Sequence, residues 1–124
     1  MITGHGIDLI EISRVRASLE RFGPRFVNRL FDPREIACAA RFADPAQYYA
    51  SRFAAKEAFA KSMGTGFTGF GPKDVIILRG SGQPPRFDFS QKLQTLFPTL
   101  KPEDFLLSIS HSRDMAAASV IRRS

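Results

Sequence analysis

One uninterrupted run of helix-forming residues, SRFAAKEAFAKSMGTG, occupies residues 51–66 and limits what this chain can fold into. Alanine, lysine and other strong helix formers dominate the run, and no proline interrupts it. The dipeptide Asp44-Pro45 is typical of a helix start. Gly64 and Gly66 stand where the helix is expected to end, because glycine readily adopts the left-handed backbone of a C-terminal cap. The sequence therefore predicts one long helix that ends in a glycine turn.

Glu57 and Lys61 occupy an unusual position on this helix. At about 100° per residue, both fall within a stripe of apolar and small side chains: Tyr49, Phe53, Ala60, Ala50, Ala54 and Ala58. A glutamate four residues before a lysine is normally a pair on the solvated face, and a charge on an apolar face is costly unless it is paired. Two interpretations follow. The pair is an internal salt bridge, or it is a site in which the carboxylate binds a metal ion and the lysine binds a phosphate.

Composition sets broad bounds on the chain. With 124 residues, 12 of them phenylalanine, residues 1–124 are expected to form a single domain around one aromatic-rich core. The net charge of +6 indicates an acidic partner, but it does not choose among nucleic acid, an anionic membrane, a phosphorylated small molecule and an acidic protein. The single cysteine, Cys38, excludes an intramolecular disulfide. Without a secretory leader or a run of ~20 apolar residues, a soluble cytoplasmic protein with no membrane association is expected.

Local patterns predict further elements along the chain. Runs of β-branched and aromatic residues predict strands at residues 2–12, 75–78, 86–89, 105–111 and 115–122, with 75–89 forming a hairpin. Helices are predicted over residues 14–21, from Pro33 to near Arg41, and through Phe97, with Ser13 and Ser90 as caps of the first and the last. Residues 67–72 are rich in glycine and are expected to form a loop.

Asp8 is an acidic residue inside the apolar first strand. Alternation places Ile7 and Leu9 on one side of the strand and Asp8 on the other side, alongside Gly6. The ordinary interpretation is an aspartate that caps the turn after the strand. The alternative combines Asp8 with Glu57, because Mg²⁺ prefers carboxylate oxygens and usually takes one or two of them, completing its shell with water and phosphate.

Several residues could bind phosphate near these two acids: Lys61, Arg52, the turn formed by Gly64, Thr65 and Gly66, and His111 if the penultimate strand lies close by. A histidine at a strand end is more often a structural hydrogen-bonding group. No serine, histidine and acid arrangement indicates nucleophilic catalysis. The residues alone therefore favour metal-assisted transfer on a phosphate-containing substrate.

The first third of the chain is strongly basic, with phenylalanines and leucine interleaved. Its arginines are Arg14, Arg16, Arg21, Arg25 and Arg29. A solvated helical face is the default explanation of such a pattern. The alternative is a surface on which an acidic protein docks.

Three segments, GIDLIEISR, RFAAKEAFAKSMGTG and LSISHSRDMAAASVI, resemble in order and spacing the holo-acyl-carrier-protein synthase family of 4'-phosphopantetheinyl transferases. The resemblance implies a small α+β fold in which an antiparallel sheet packs against one long helix and several short ones. It also implies a homotrimer with active sites at subunit interfaces. The implied reaction, part of fatty acid biosynthesis and lipid metabolism, is Mg²⁺-dependent. It transfers 4'-phosphopantetheine from coenzyme A to a serine of apo acyl carrier protein and releases adenosine 3',5'-bisphosphate.

The resemblance also implies roles for individual residues. Asp8 and Glu57 match the magnesium ligands, and together with Lys61 they match the catalytic residues. Positions that contact coenzyme A, some of them across a subunit boundary, are matched by Arg41, Arg52, Lys61, Gly64, Thr65, Gly66, Pro84 and His111. The carrier protein is expected to dock on Arg14, Arg21 and Arg25. The serine proton passes either to Glu57 or to a metal-bound water, and both remain open.

This sequence departs from the family at one turn, where the common Gly-Lys-Pro reads Gly82-Gln83-Pro84 and a further proline follows. The change affects the expected contact on the adenosine side. Two other interpretations of the chain remain. A small basic nucleic-acid-binding module suits the charge but leaves Asp8 and Glu57 without a role. A catalytically silent homologue that only binds carrier protein is disfavoured by the presence of Asp8, Glu57 and Lys61.

Overall fold

The computed structural model describes residues 1–124 as a mixed arrangement of helices and antiparallel strands. The helices are α1 (Ile12–Phe22), α2 (Pro24–Leu30), α3 (Pro33–Ala39), α4 (Ala46–Ser62) and α5 (Gln91–Leu96). The strands are β1 (Ile2–Glu11), β2 (Val75–Leu78), β3 (Arg86–Phe89), β4 (Phe105–His111) and β5 (Met115–Arg123). The predicted strands and the long helix are confirmed. The sequence analysis did not predict α2 as a separate helix. No helix has both the length and the apolar character needed to cross a bilayer.

The strands form two separate sheets. The first is three-stranded and antiparallel, in the order β1-β5-β4, with β5 in the centre. The second is the hairpin of β2 and β3, in which Val75 lies opposite Phe89. The predicted hairpin is therefore confirmed, as is the α+β class with its antiparallel sheet against one long helix.

Helix α4 packs directly on the backbone of β1. A Cβ atom placed on Gly6 would lie 1.9 Å from the carbonyl oxygen of Ala58, and one placed on Gly4 would lie 2.1 Å from that of Ser62. Both distances are far below van der Waals contact, so only glycine fits at these two positions. As a result, the strand that carries Asp8 lies against the turn of α4 that carries Glu57 and Lys61.

Phenylalanines fill the main core, as their number predicts. The ring of Phe59 on α4 lies 5.2 Å from that of Phe87, 5.4 Å from that of Phe89 and 4.7 Å from that of Phe105. All four rings are buried in one cluster between the first sheet, α4 and the hairpin. A second cluster, built around Phe31, lies between α4 and the short N-terminal helices. The expected single core is therefore divided into two clusters, one on each half of α4.

A buried ion pair between Glu35 and Lys56 ties three parts of the fold together. Both side chains are 0% exposed, and the Lys56 Nζ atom lies 2.8 Å from Glu35 Oε1. The ammonium also donates to the carbonyl oxygens of Pro72 (2.9 Å) and Val75 (2.6 Å), while Glu35 Oε2 accepts from the N–H of Ile77 (3.1 Å). Burial lowers the pKa of Lys56, and the Glu35 charge opposes that shift. Sequence analysis missed this pair.

Of the two predicted serine caps, Ser90 is right and Ser13 is wrong. Asp32 accepts the N–H of Arg34 at the start of α3, and Ser90 accepts that of Leu93 at the start of α5. Ser13 is not a cap, because α1 already begins at Ile12 and no side chain caps it. The N–H of Ile12 instead donates to the carbonyl of Asp114 in the β4–β5 turn, so the sheet continues directly into the helix.

Candidate active site

Asp8 and Lys61 form the centre of the candidate site. Asp8 points from β1 toward α4, and its Oδ1 atom lies 3.1 Å from Lys61 Nζ, which also donates to the carbonyl oxygen of Ile7 (3.1 Å). The Asp8 side chain is largely buried, whereas Lys61 is exposed. The interpretation of Asp8 as a cap is therefore wrong, because the residue lies within β1 and contacts the long helix. The internal Glu57–Lys61 salt bridge is also wrong, because Lys61 pairs with Asp8.

Glu57 lies beside this pair and has no hydrogen-bond partner in the protein. Its side chain is partly buried on the same side of α4 and lines the same pocket as Asp8. Burial raises the pKa of Glu57, the Asp8 charge raises it further, and Lys61 acts in the opposite direction. A carboxylate that is disfavoured in its charged form by a neighbouring carboxylate is well placed to receive a cation.

The donors present at this site fit a hard divalent cation. Asp8 and Glu57 supply carboxylate oxygens, and the chain contains no group of three or more His, Cys, Asp and Glu side chains arranged to hold a metal. That donor set suits Mg²⁺, which commonly binds one or two protein carboxylates and keeps water or phosphate in its other positions. It does not suit Zn²⁺, which prefers three or four nitrogen and sulfur ligands.

Removing the charge of Glu57 is expected to stabilise the fold at neutral pH. Because the raised pKa favours the protonated carboxyl, Glu57 contributes stability below its ordinary pKa of 4.5, and that contribution is lost as the pH rises through the raised value. The isosteric variant Glu57→Gln should therefore raise the free energy of unfolding at pH 7 by ~0.5 kcal/mol, a value discounted for partial exposure. Urea denaturation should show a smaller difference between variant and wild type near about pH 4.

Glu20→Gln is the matched control for this change, because Glu20 is exposed on α1 and its side chain has no hydrogen-bond partner. That variant should leave the free energy of unfolding unchanged at both pH values. A Glu57→Gln variant that is less stable than wild type at pH 7 would contradict the assignment of Glu57 as a carboxylate whose charged form is disfavoured in the fold.

The glycine turn follows the site directly. Gly64 and Gly66 have φ angles of 81° and 66°, in the left-handed region that favours glycine. The N–H groups of Thr65 and Gly66 donate to no acceptor within the chain. Thr65 follows Lys61 by four residues and Glu57 by eight, so two free donors come just after Lys61 in the chain. This geometry suits an anion, because successive free N–H groups can bind phosphate oxygens.

The other residues predicted to contact coenzyme A lie around a second pocket of about 860 Å³. Arg41, Arg52, Pro84 and His111 all line it. The His111 Nδ1 atom lies 2.6 Å from Gln47 Nε2. The guanidinium of Arg52 lies 4.3 Å from the centre of the Tyr48 ring, and its Nε atom is buried without a partner. Sequence analysis missed Tyr48, although its position four residues before Arg52 was an available signal.

Within one chain, the acid–lysine cluster and the arginine-lined pocket do not lie together. Arg52 and Lys61 both lie on α4, but nine residues separate them, which corresponds to roughly 14 Å along the axis and opposite faces of the helix. The acid–lysine cluster lies at the C-terminal end of α4, and the arginine pocket lies at its N-terminal end. We call the acid–lysine cluster the first half-site and the arginine pocket the second half-site. In a single chain the two face away from each other.

One of the three arginines predicted to dock a carrier protein, Arg14, lies at the first half-site. Arg14, Arg21 and Arg25 are exposed, and Arg14 lines the same pocket of about 430 Å³ as Asp8 and Glu57. Arg16 is different, because it forms a 2.7 Å ion pair with Asp44. Arg14 and Arg25 have no acidic partner in the chain, which leaves their charges available to a ligand.

Comparison with known proteins defines the class. The model of the 4'-phosphopantetheinyl transferase superfamily matches residues 4–118, and the chain therefore belongs to that superfamily. Within it, the chain is similar to holo-[acyl-carrier-protein] synthases. It is 43% identical to the synthase of Gluconobacter oxydans over 131 aligned positions, covering 100% of this chain and 83% of the relative.

Solved structures give the same result. The crystal structure of the Neisseria meningitidis holo-[acyl-carrier-protein] synthase has a TM-score of 0.89, 31% identity and full coverage of both chains. The Helicobacter pylori synthase, solved in complex with coenzyme A, has a TM-score of 0.79 and 28% identity, covering 94% of this chain and 96% of that one. The family resemblance and the fold expected from the three sequence segments are thus confirmed.

Proposed function

We propose that residues 1–124 act as one domain that transfers 4'-phosphopantetheine from coenzyme A to a serine of apo acyl carrier protein. The observation that carries the proposal is the cluster of Asp8, Glu57 and Lys61, followed in the chain by two free backbone donors, in a chain that matches holo-[acyl-carrier-protein] synthases along its length. The serine oxygen attacks the phosphorus atom that bears pantetheine. The bond from that phosphorus to the bridging oxygen breaks, and adenosine 3',5'-bisphosphate leaves with that oxygen.

The residues of the first half-site fit this displacement. The Lys61 ammonium neutralises negative charge that develops on the departing phosphate, and Asp8 holds that ammonium in place. Glu57, which has no protein partner, is one group that can accept the serine proton. Asp8 and Glu57 would hold Mg²⁺, which when bound neutralises charge on the pyrophosphate and orients it. The free N–H groups of Thr65 and Gly66 would bind phosphate oxygens.

The proposal includes a homotrimer, because one chain carries two separated half-sites. The outer face of the first sheet supports it, since Ile7 and Leu9 on this face are 62% and 63% exposed and no element covers them. Leu106 and Ile121 extend the same face across β4 and β5. Ser108 and Ser119 share this face, but a group of exposed large apolar side chains of this kind normally lies against another surface. Other copies of the chain would cover it and place the arginine pocket of one subunit beside the acid–lysine cluster of the next.

Ile7→Lys is expected to convert this assembly to monomers, because three copies of a buried lysine would lie close together at the sheet face. Sedimentation equilibrium should give three times the mass of one 13.8 kDa chain for wild type and the mass of one chain for the variant. Leu96→Lys is the matched control, because Leu96 is similarly exposed but lies on α5, away from the sheet. An Ile7→Lys variant with the wild-type mass would rule out assembly through this face.

The carrier protein is proposed to dock on Arg14, Arg21 and Arg25. Acyl carrier proteins are acidic, and a basic surface next to the reacting groups would bring the serine toward Glu57. We place the reaction in fatty acid biosynthesis and in the cytoplasm. A lone free thiol at Cys38 suits a reducing compartment.

Intact-mass spectrometry tests the proposed function directly. Apo acyl carrier protein is incubated with this protein and coenzyme A, with Mg²⁺ or with a chelator. A mass gain of one phosphopantetheinyl group that requires Mg²⁺ is expected. No gain with several carrier proteins, together with nucleic acid in the purified sample, would favour the nucleic-acid-binding alternative instead.

A further inference from the structure

Phe42 is an aromatic side chain exposed at the mouth of the arginine pocket. It follows Arg41 in the loop between α3 and α4, and 52% of it is accessible to solvent. Phe42 belongs to neither core cluster, so core packing does not account for its position. Its ring lines the same pocket as Arg52 and His111. The exposed ring is therefore a feature of the pocket that needs an explanation.

The ring of Phe42 is held in a defined orientation. It stacks on the buried ring of Tyr48, with 5.6 Å between centroids and 26° between planes. Tyr48 is itself fixed, because the Arg52 guanidinium lies 4.3 Å from its centroid and Tyr49 contacts its edge. A ring that is supported on one side and open on the other presents a flat apolar surface at low entropic cost.

The surroundings of this ring define the ligand that would suit it. Arg41, Arg52 and Arg79 line the pocket and have no carboxylate partner, so the pocket favours an anion. The buried Nε of Arg52 is a donor without an acceptor. A ligand that suits both the unpaired arginines and the exposed Phe42 ring carries a phosphate and a planar ring a short distance apart. In coenzyme A, only the adenosine 3'-phosphate portion combines the two.

We infer that Phe42 is a stacking platform for the adenine base of the donor and sets specificity for that end of coenzyme A. This inference rests on the proposed function. It assigns Phe42 a role that is separate from the phosphate contacts of Arg41 and Arg52. Stacking does not change as the reaction proceeds, so Phe42 contributes to donor binding and leaves the chemical step alone.

Calorimetric titration with adenosine 3',5'-bisphosphate, without carrier protein, tests the inference. Phe42→Ala is expected to raise the dissociation constant about tenfold, and Phe42→Trp is expected to restore it, because tryptophan keeps a stacking surface. In the transfer assay, Phe42→Ala should raise KM for coenzyme A by the same factor while leaving kcat and the KM for carrier protein unchanged. Phe22→Ala is the matched control, because Phe22 is also exposed but lies on α1, outside the arginine pocket.

Distinct outcomes overturn the inference. If Phe42→Ala binds the bisphosphate as tightly as wild type, the platform is refuted while the proposed function stands. If Phe42→Ala lowers the mass of the assembly in sedimentation, Phe42 is a contact between copies and the inference is also wrong. If wild type binds the bisphosphate but transfers no phosphopantetheine, the proposed function fails, and the titrations still decide whether Phe42 binds the base.

Discussion

Replacing Asp8 with asparagine is expected to lower kcat for phosphopantetheine transfer by about 1000-fold. The amide keeps the shape of the side chain, so the fold is retained, but it removes the charge that holds Lys61 at 3.1 Å. It also removes one of the two carboxylates available to Mg²⁺. A metal ion and an oriented cation each supply several kcal/mol of charge stabilisation, and a loss of about 4 kcal/mol corresponds to a 1000-fold change in rate. The intact-mass assay, run as a time course, measures the loss.

Glu11→Gln is the matched control for this variant. Glu11 lies on the same strand and lines the same pocket, but its carboxylate has no ionic partner. Its replacement should change kcat by less than about twofold. Circular dichroism and the assembly mass should be unchanged in both variants. Turnover of Asp8→Asn within about tenfold of wild type would remove Asp8 from the reacting centre.

Lys56→Met is expected to lower the free energy of unfolding by about 3–5 kcal/mol, although Lys56 directly precedes Glu57. The variant leaves the carboxylate of Glu35 buried at 0% exposure without its counter-charge. It also leaves the carbonyl oxygens of Pro72 and Val75 without their donor. Urea denaturation followed by circular dichroism measures the change.

Two further variants distinguish the structural role of the Glu35–Lys56 pair from the role of the candidate active site. In Lys56→Met combined with Glu35→Leu, part of the lost stability should return, because no unpaired charge stays buried. The recovery should be incomplete, because the carbonyls of Pro72 and Val75 and the N–H of Ile77 still lack partners. Lys61→Met on the same helix should change stability by less than about 1 kcal/mol, because its ion pair is partly exposed. Lys61→Met is expected to lose transfer activity and keep its stability. Lys56→Met is expected to lose stability but to keep its transfer activity when that activity is expressed per folded molecule. A Lys56→Met variant as stable as wild type would refute the structural role of the pair.

Much of the fold was accessible from the sequence because its signals are local. The long helix follows from propensity and from the glycines at 64 and 66, and the orientation of Asp8 follows from strand alternation. The choice of Asp8, Glu57 and Lys61 as one group came from charges on apolar faces together with the family resemblance. These features need no knowledge of which elements meet in space.

The remaining features depend on tertiary contacts. Lys61 bonds to Asp8, 53 residues away, because two glycines let α4 approach β1. Glu35 and Lys56 are ordinary helical charges in the sequence, and only the packing of α3 and β2 around α4 buries them together. The separation of the acid–lysine cluster from the arginine pocket is an exception, because the nine-residue spacing of Arg52 and Lys61 in the predicted helix already indicates opposite faces. The sequence analysis did not use that spacing.

The backbone contact at Gly4 and Gly6 has a consequence for how such an enzyme can change. Because β1 and α4 touch without intervening side chains, the strand of Asp8 and the helix of Glu57 pack backbone against backbone. The reacting half is therefore preorganised during folding, and ligand binding need not bring these two groups together. The other half depends partly on loop residues such as Phe42 and Pro84, where a substitution disturbs the packing of the fold less. Selection for new donors can therefore act on those loops while the chemistry on β1 and α4 stays fixed.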